Sequence, residues 1–241
     1  MLIKHYRGFL LDADNTLFDY DSAEKEAFQE TLQEAAPHIP VSRALDAYRP
    51  INAGWWRRFE AGETSLDALK IGRFADLLAA IGATADAAIT SRTYLERLSC
   101  KARFLPHARE TLALLGRHGP LGLVTNGISL VQRGRLAAAG IDGLFAAVLI
   151  SEEVGMAKPD PRFFEAACAA IGREPSEVLC IGDNPRADVE GALSAGIDAC
   201  WLNPSGSPWP GTGAAPTFVV GDLAELMRAV EGRPNGRGGK S

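Results

Sequence analysis

Two aspartates two residues apart, Asp12 and Asp14, close the stretch Phe9-Leu10-Leu11-Asp12-Ala13-Asp14. Tyr6 to Leu11 is an apolar run and the chain turns polar after Thr16, so both carboxylates belong at the carboxyl end of a buried strand. Alternate strand residues share a face, and two like charges on one face are costly unless a cation or a proton relieves them. The spacing therefore predicts a paired acidic site suited to a divalent metal. For the pair alone, a strand end with two solvated acids is an equal competitor.

Three further segments weigh against that plainer reading. Leu121-Gly122-Leu123-Val124-Thr125-Asn126-Gly127 is a second apolar strand ending in a hydroxyl, an amide and a glycine. Ala157-Lys158-Pro159-Asp160-Pro161 sets a lysine just before a helix start, with Asp160 as N-cap and Pro161 at the first helical position. Val178-Leu179-Cys180-Ile181-Gly182-Asp183 is a third strand ending in an acid, with Asp188 five residues on. Taken singly, Thr125 is an ordinary cap, Asp188 a helix N-terminal charge and Lys158 a surface residue. Only their company changes the reading.

The elements that must gather these residues follow from periodicity. From His107 onward helix and strand alternate: helix to His118, strand to Thr125, helix to Ala139, strand to Ile150, helix to Ile171, strand to Ile181, helix to Ala195, strand to Leu202. A last strand at Thr217 to Val220 and a helix from Asp222 follow. This is the pattern of an α/β fold with a doubly wound parallel sheet covered on both faces, which binds ligands at the carboxyl ends of its strands. Between about Asp19 and Lys101 the alternation stops and the pattern is helical, with Ser65 placed to cap one helix and Pro50 placed to interrupt or bend another. The expected organisation is a core of residues 1–18 and 102–230, a helical insertion at 19–101, and a tail, 231–241, too poor in apolar residues to order itself.

Composition sets outer limits. The chain has 241 residues, 46% hydrophobic and 23% charged, with a net charge of −5, ordinary for a soluble globular protein. Such a balance gives no footprint for a polymeric nucleic acid, whereas a small anionic substrate needs only a local positive pocket. No apolar run approaches the roughly 20 residues that cross a bilayer. The expectation is a cytoplasmic protein with no membrane partner. Cys100, Cys168, Cys180 and Cys200 lack metal or disulfide spacing and are expected to be reduced core residues.

In this order the four segments resemble the four motifs of the haloacid dehalogenase-like hydrolase superfamily, over about Tyr6 to Val230. The resemblance implies a Rossmann-like core with an inserted helical cap, and a Mg²⁺-dependent phosphatase, with Mn²⁺ as the alternative metal. It assigns Asp12 as nucleophile and Asp14 as general acid and base. Thr125, Asn126 and Lys158 fall to the phosphate. Metal binding is expected of Asp12, Asp183 and the backbone carbonyl of Asp14, with Asp188 nearby on a metal-bound water or on Lys158. Haloacid dehalogenases of the superfamily lack the second aspartate, because a halide leaving group needs no proton.

A narrower resemblance, to the bacterial house-cleaning pyrimidine 5′-nucleotidases, rests on Asp12 to Phe18, Leu149 to Pro159, Cys200-Trp201-Leu202-Asn203, and Gly62-Glu63-Thr64-Ser65 with Gly72-Arg73-Phe74. It implies a small phosphorylated substrate, foremost a pyrimidine nucleoside monophosphate, and a monomer or small homo-oligomer. Asn15 stands where that group has an acid. Substrate choice is expected in the helical insertion and in Phe18, with Trp55, Trp56 and Phe59 as candidate stacking faces, at least two of the three being packing residues instead. The alternatives are a phosphoglycolate or sugar-phosphate phosphatase, a haloacid dehalogenase, and a non-catalytic protein that keeps the fold.

Overall fold

The computed structural model describes residues 6–211 and 213–232. Most of the tail expected to be unordered, 233–241, lies outside the described residues.

Six strands form one sheet: β1 Gly8–Leu11, β2 Leu121–Thr125, β3 Ala147–Ile150, β4 Val178–Gly182, β5 Asp198–Leu202 and β6 Phe218–Val220. Their order is β3-β2-β1-β4-β5-β6, and every pairing is parallel. β1, β2 and β4 are buried at every position, which is why they read as unbroken apolar runs rather than alternations. The order reverses direction about β1, so the strand carrying Asp12 lies between those leading to Thr125 and Asp183. One face is filled by Leu10, Val124, Cys180 and Trp201 of the sheet with Phe163, Phe164 and Ile171 of the helix Pro161–Ile171. That helix starts as its sequence predicts, with the Asp160 carboxylate accepting from Arg162 N at 3.0 Å and Pro161 in the first turn.

The chain's own contacts divide it into two compact units. The helical one comprises Tyr20–Arg103 and also Gly127–Gly140. Pattern alone puts the second segment in the α/β core, because its helix Ser129–Ala139 follows β2 as a crossover should. Its Ile128 and Val131 instead enter the hydrophobic cluster of Phe28, Leu45, Phe74, Leu77 and Leu98. At the centre of this unit four rings meet, Tyr48 lying 4.7 Å from Phe28, 5.6 Å from Phe74 and 6.0 Å from Tyr94 between centroids.

Ser65 caps the helix Leu66–Ile81, accepting from Ala68 N at 3.2 Å. Pro50 does not interrupt its helix, which runs unbroken over Val41–Glu60. Proline removes only one donor, and here it sits on the exposed side while Ala44, Leu45 and Tyr48 anchor the other. Among the described residues no helix is long and apolar enough to cross a membrane.

Candidate active site

Asp12 follows β1 directly, and its N–H donates to Ile181 O at 2.9 Å, so it stays on the ladder with β4. Only 6% of it is exposed. Lys158 reaches it from the segment just before the helix Pro161–Ile171: Nζ donates to Asp12 Oδ1 at 2.6 Å, to Asp188 Oδ1 at 2.6 Å and to Val124 O at 2.9 Å. An ammonium has three protons, and these three acceptors use them all. Lys158, a surface residue by type, is thus a fixed, 2% exposed cation wedged between two carboxylates. A buried charge persists only when paired and hydrogen-bonded, and this one is both.

Asn126 fixes the lysine's backbone. Its Nδ2 donates to Lys158 O at 2.6 Å, and its Oδ1 accepts from Lys158 N at 2.7 Å. The side chain that the motif pattern gives to phosphate is therefore already committed to holding Lys158. Thr125, the last residue of β2, is 2% exposed.

Asp188 is held in turn. It lies in a single π-type turn, Pro185–Glu190, capped by Asn184, whose side chain accepts from Arg186 N and Ala187 N, each at 3.0 Å. Asn184 N donates to Asp188 Oδ2 at 3.0 Å, so both oxygens of Asp188 are engaged by protein donors. Gly182 makes room for this: a Cβ there would meet the Asp188 carboxyl at 2.3 Å.

Burial raises the pKa of Asp12, and Asp188 and Asp14 add to the rise while Lys158 opposes it. Burial, with the charges of Asp12 and Asp188, pushes Asp183 up to about 9. For Lys158 burial acts the other way, but the two aspartates outweigh it and hold the ammonium charged. Asp12, Asp183 and Asp188 each offer a carboxylate oxygen within 4.8 Å of the others. Three carboxylates against one ammonium leave excess negative charge in a buried, all-oxygen donor set, which suits a hard divalent cation. With both Asp188 oxygens engaged, Asp12 and Asp183 are the carboxylates best able to take it.

Asn15 adopts the left-handed region with φ 58°. Asparagine tolerates that conformation better than most residues, which gives a local reason for its presence after Asp14. Of the candidate selectivity residues, Phe18 is fully buried in the α/β unit with its ring 5.1 Å from Phe104. The others are in the helical unit. Trp55 donates Nε1–H to Asp76 Oδ2 at 2.8 Å and carries the Arg58 guanidinium 4.5 Å over its ring. Trp56 packs against the helical core and meets Phe59 edge-on at 5.8 Å. Pattern reading did not single out Asn184, although Asn-Pro is a turn signal that could have flagged it.

A family model for haloacid dehalogenase-like hydrolases matches residues 6–196. Pyrimidine 5′-nucleotidase PynA of Streptococcus pneumoniae is 33% identical over 228 residues, covering 94% of this chain and 95% of its own. A phosphoserine phosphatase of Thermus thermophilus is 35% identical over 212 residues, covering 86% of this chain and 84% of its own. The crystal structure of the HAD-hydrolase YfnB of Bacillus subtilis, bound to magnesium, superposes with a TM-score of 0.85 at 31% identity, covering 95% of this chain and all of that one.

Proposed function

The chain belongs to the haloacid dehalogenase-like hydrolases, and from that premise we propose that it is a Mg²⁺-dependent phosphatase of small phosphate monoesters, foremost pyrimidine nucleoside 5′-monophosphates. The observation that carries the reading is the convergence of Asp12, Lys158 and Asp188 within 2.6 Å hydrogen bonds, with Asp183 beside them, at one edge of a parallel sheet.

Phosphate monoesters hydrolyse so slowly unaided that roughly 20 kcal/mol of transition-state stabilisation is needed. Asp12 attacks phosphorus in line, its carboxylate oxygen forming a bond to phosphorus as the ester oxygen leaves. Asp14 gives that oxygen a proton, then takes one from the water that cleaves the aspartyl-phosphate. Lys158 balances the charge on Asp12 and on the transferring group, acting as a preorganised cation that need not move. Thr125 and the N–H groups that follow it donate to the phosphoryl oxygens. Asp12 and Asp183, with the Asp14 carbonyl, would hold Mg²⁺, which would supply positive charge against the negative charge of the phosphate and the carboxylates.

Asp14 favours phosphate transfer over dehalogenation, since only an ester leaving group needs its proton. The pyrimidine nucleotidase reading is supported by the PynA relative and by the segments around Asp12, Lys158 and Trp201. Phosphoserine is the second reading, favoured by the Thermus relative.

The test is phosphate release from pyrimidine and purine monophosphates, phosphoserine, phosphoglycolate and hexose phosphates, with Mg²⁺ or EDTA, beside Asp12→Asn. Metal-dependent release favouring dUMP, UMP or dTMP and absent in the variant is expected. Preference for phosphoserine or sugar phosphates would retire the nucleotidase assignment, and no release from any substrate would retire the phosphatase reading.

A further inference from the structure

The β4–β5 ladder ends at the pair Gly182 and Trp201, one residue short of Asp183. The next carbonyl, that of Asp183, has no strand partner there, and the Trp201 indole supplies one: Nε1–H donates to Asp183 O at 2.8 Å. The N–H of the same peptide unit belongs to Asn184 and donates to Asp188 Oδ2 at 3.0 Å. The Asp183–Asn184 peptide is therefore pinned on both edges. One side is held by a ring that is 5% exposed, the other by the carboxylate that also grips Lys158.

Fixing a peptide plane fixes ψ of the residue before it, and so the direction in which that residue's side chain leaves the backbone. Asp183 is the residue before it. We propose that Trp201 is a positioning residue for the divalent cation: its indole N–H orients the Asp183–Asn184 peptide, so that the Asp183 carboxylate is aimed before metal arrives. Partners that orient a metal ligand in this way commonly contribute about 10- to 100-fold in affinity. The inference rests on the reading of Asp183 as a metal ligand.

The neighbouring Trp209 provides an internal control. It meets Trp201 edge to face at 5.3 Å between centroids, yet its own buried Nε1 has no hydrogen-bond partner among the described residues. Trp209→Phe removes indole packing from the same cluster without touching the Asp183 carbonyl. Trp201→Phe keeps an aromatic ring and removes the donor.

Mg²⁺ titration by calorimetry, without substrate, reads the effect directly on native protein, Trp201→Phe and Trp209→Phe. The Kd for Mg²⁺ is expected to rise about tenfold or more in Trp201→Phe and to stay within about twofold of native in Trp209→Phe. Phosphate release by Trp201→Phe is expected to recover as Mg²⁺ is raised above the new Kd, a rescue that general structural damage would not allow. In native protein the Trp201 indole N–H is expected to exchange slowly with D₂O and to shift on adding Mg²⁺, which tests the contact even if the variant fails to fold. An unchanged Kd in Trp201→Phe, equal weakening in both variants, or a rapidly exchanging Trp201 indole proton would each overturn the inference while leaving the phosphatase reading intact. Absence of Mg²⁺ binding by native protein would remove the metal reading together with it.

Discussion

Asn126 and Lys158 share a two-way clasp, the amide of one side chain closing on the backbone N–H and C=O of the other residue at 2.7 and 2.6 Å. It joins the end of β2 to the loop that delivers the ammonium to Asp12. Asn126→Asp replaces the amide's donor with a second acceptor, set against a carbonyl. Since a misplacement of about 1 Å at a reacting group can cost about 10²-fold, kcat for phosphate release should fall on that order, with KM changing far less. A change confined to KM would mean that Asn126 serves substrate binding rather than Lys158.

Removing the ammonium should be severe for two separate reasons. Lys158→Met leaves Asp12 and Asp188 buried with their hydrogen-bonding cation gone, a change of the kind that costs about 3–5 kcal/mol. It also removes a charge aimed at the transferring group, for which a loss of about 10²–10³ in kcat is expected. Urea unfolding and single-turnover rates on the folded fraction measure the two effects independently. An unfolding midpoint equal to that of native protein would show that the pairing contributes nothing net to stability.

The metal-free protein should lose stability as pH rises. An unfolded aspartate titrates at about 4, whereas Asp183 in the fold is pushed up to about 9 and Asp12 is raised as well. Between those values the folded chain holds protons that the unfolded chain has released. Their contribution is complete below about pH 4 and declines as pH climbs towards about 9. In EDTA, Tm should therefore fall between about pH 5 and about pH 9. Added Mg²⁺ should raise Tm most at the upper end, because its ligands must be deprotonated. A larger Mg²⁺ shift at about pH 5 than at about pH 8 would contradict this.

In the helical unit, Gly72 lies against Trp55, and a Cβ there would meet the indole at 2.3 Å. Gly72→Ala must displace the ring or the helix that carries it, and should cost about 1–3 kcal/mol by urea unfolding. If stability instead rises, as replacing a helical glycine ordinarily would cause, then the indole has room to move.

Sequence made the chemistry legible because each acid, the lysine and the threonine ends or follows a strand, and parallel strands deliver such residues to one edge. Asp12, Lys158, Asp183 and Asp188 come together for that reason. Their mutual bonding was less legible. Nothing in the spacing of Asn126 and Lys158 shows that one clasps the other, since the contact spans 32 residues and depends on where the loop after β3 returns. Trp201 lies in the strand that ends at Leu202, and its hydrogen bond to Asp183 O follows from a strand register that no local signal encodes. The helix after β2 fits the crossover pattern of a parallel sheet, and only its packing against the helix Ala87–Ser99 and the entry of Ile128 and Val131 into the cluster that includes Leu98 assign it to the helical unit.

That shared membership bears on modularity. The helical unit is assembled from two stretches separated by β2 and its flanking residues, so excising Tyr20–Arg103 removes most of its helices but leaves Ile128 and Val131 behind. A transplant of this unit onto a related scaffold that cuts only at Tyr20 and Arg103 would carry an open seam in its apolar interior. Recombination between relatives that respects the physical unit must exchange Gly127–Gly140 as well, so the two stretches are bound to change as a pair.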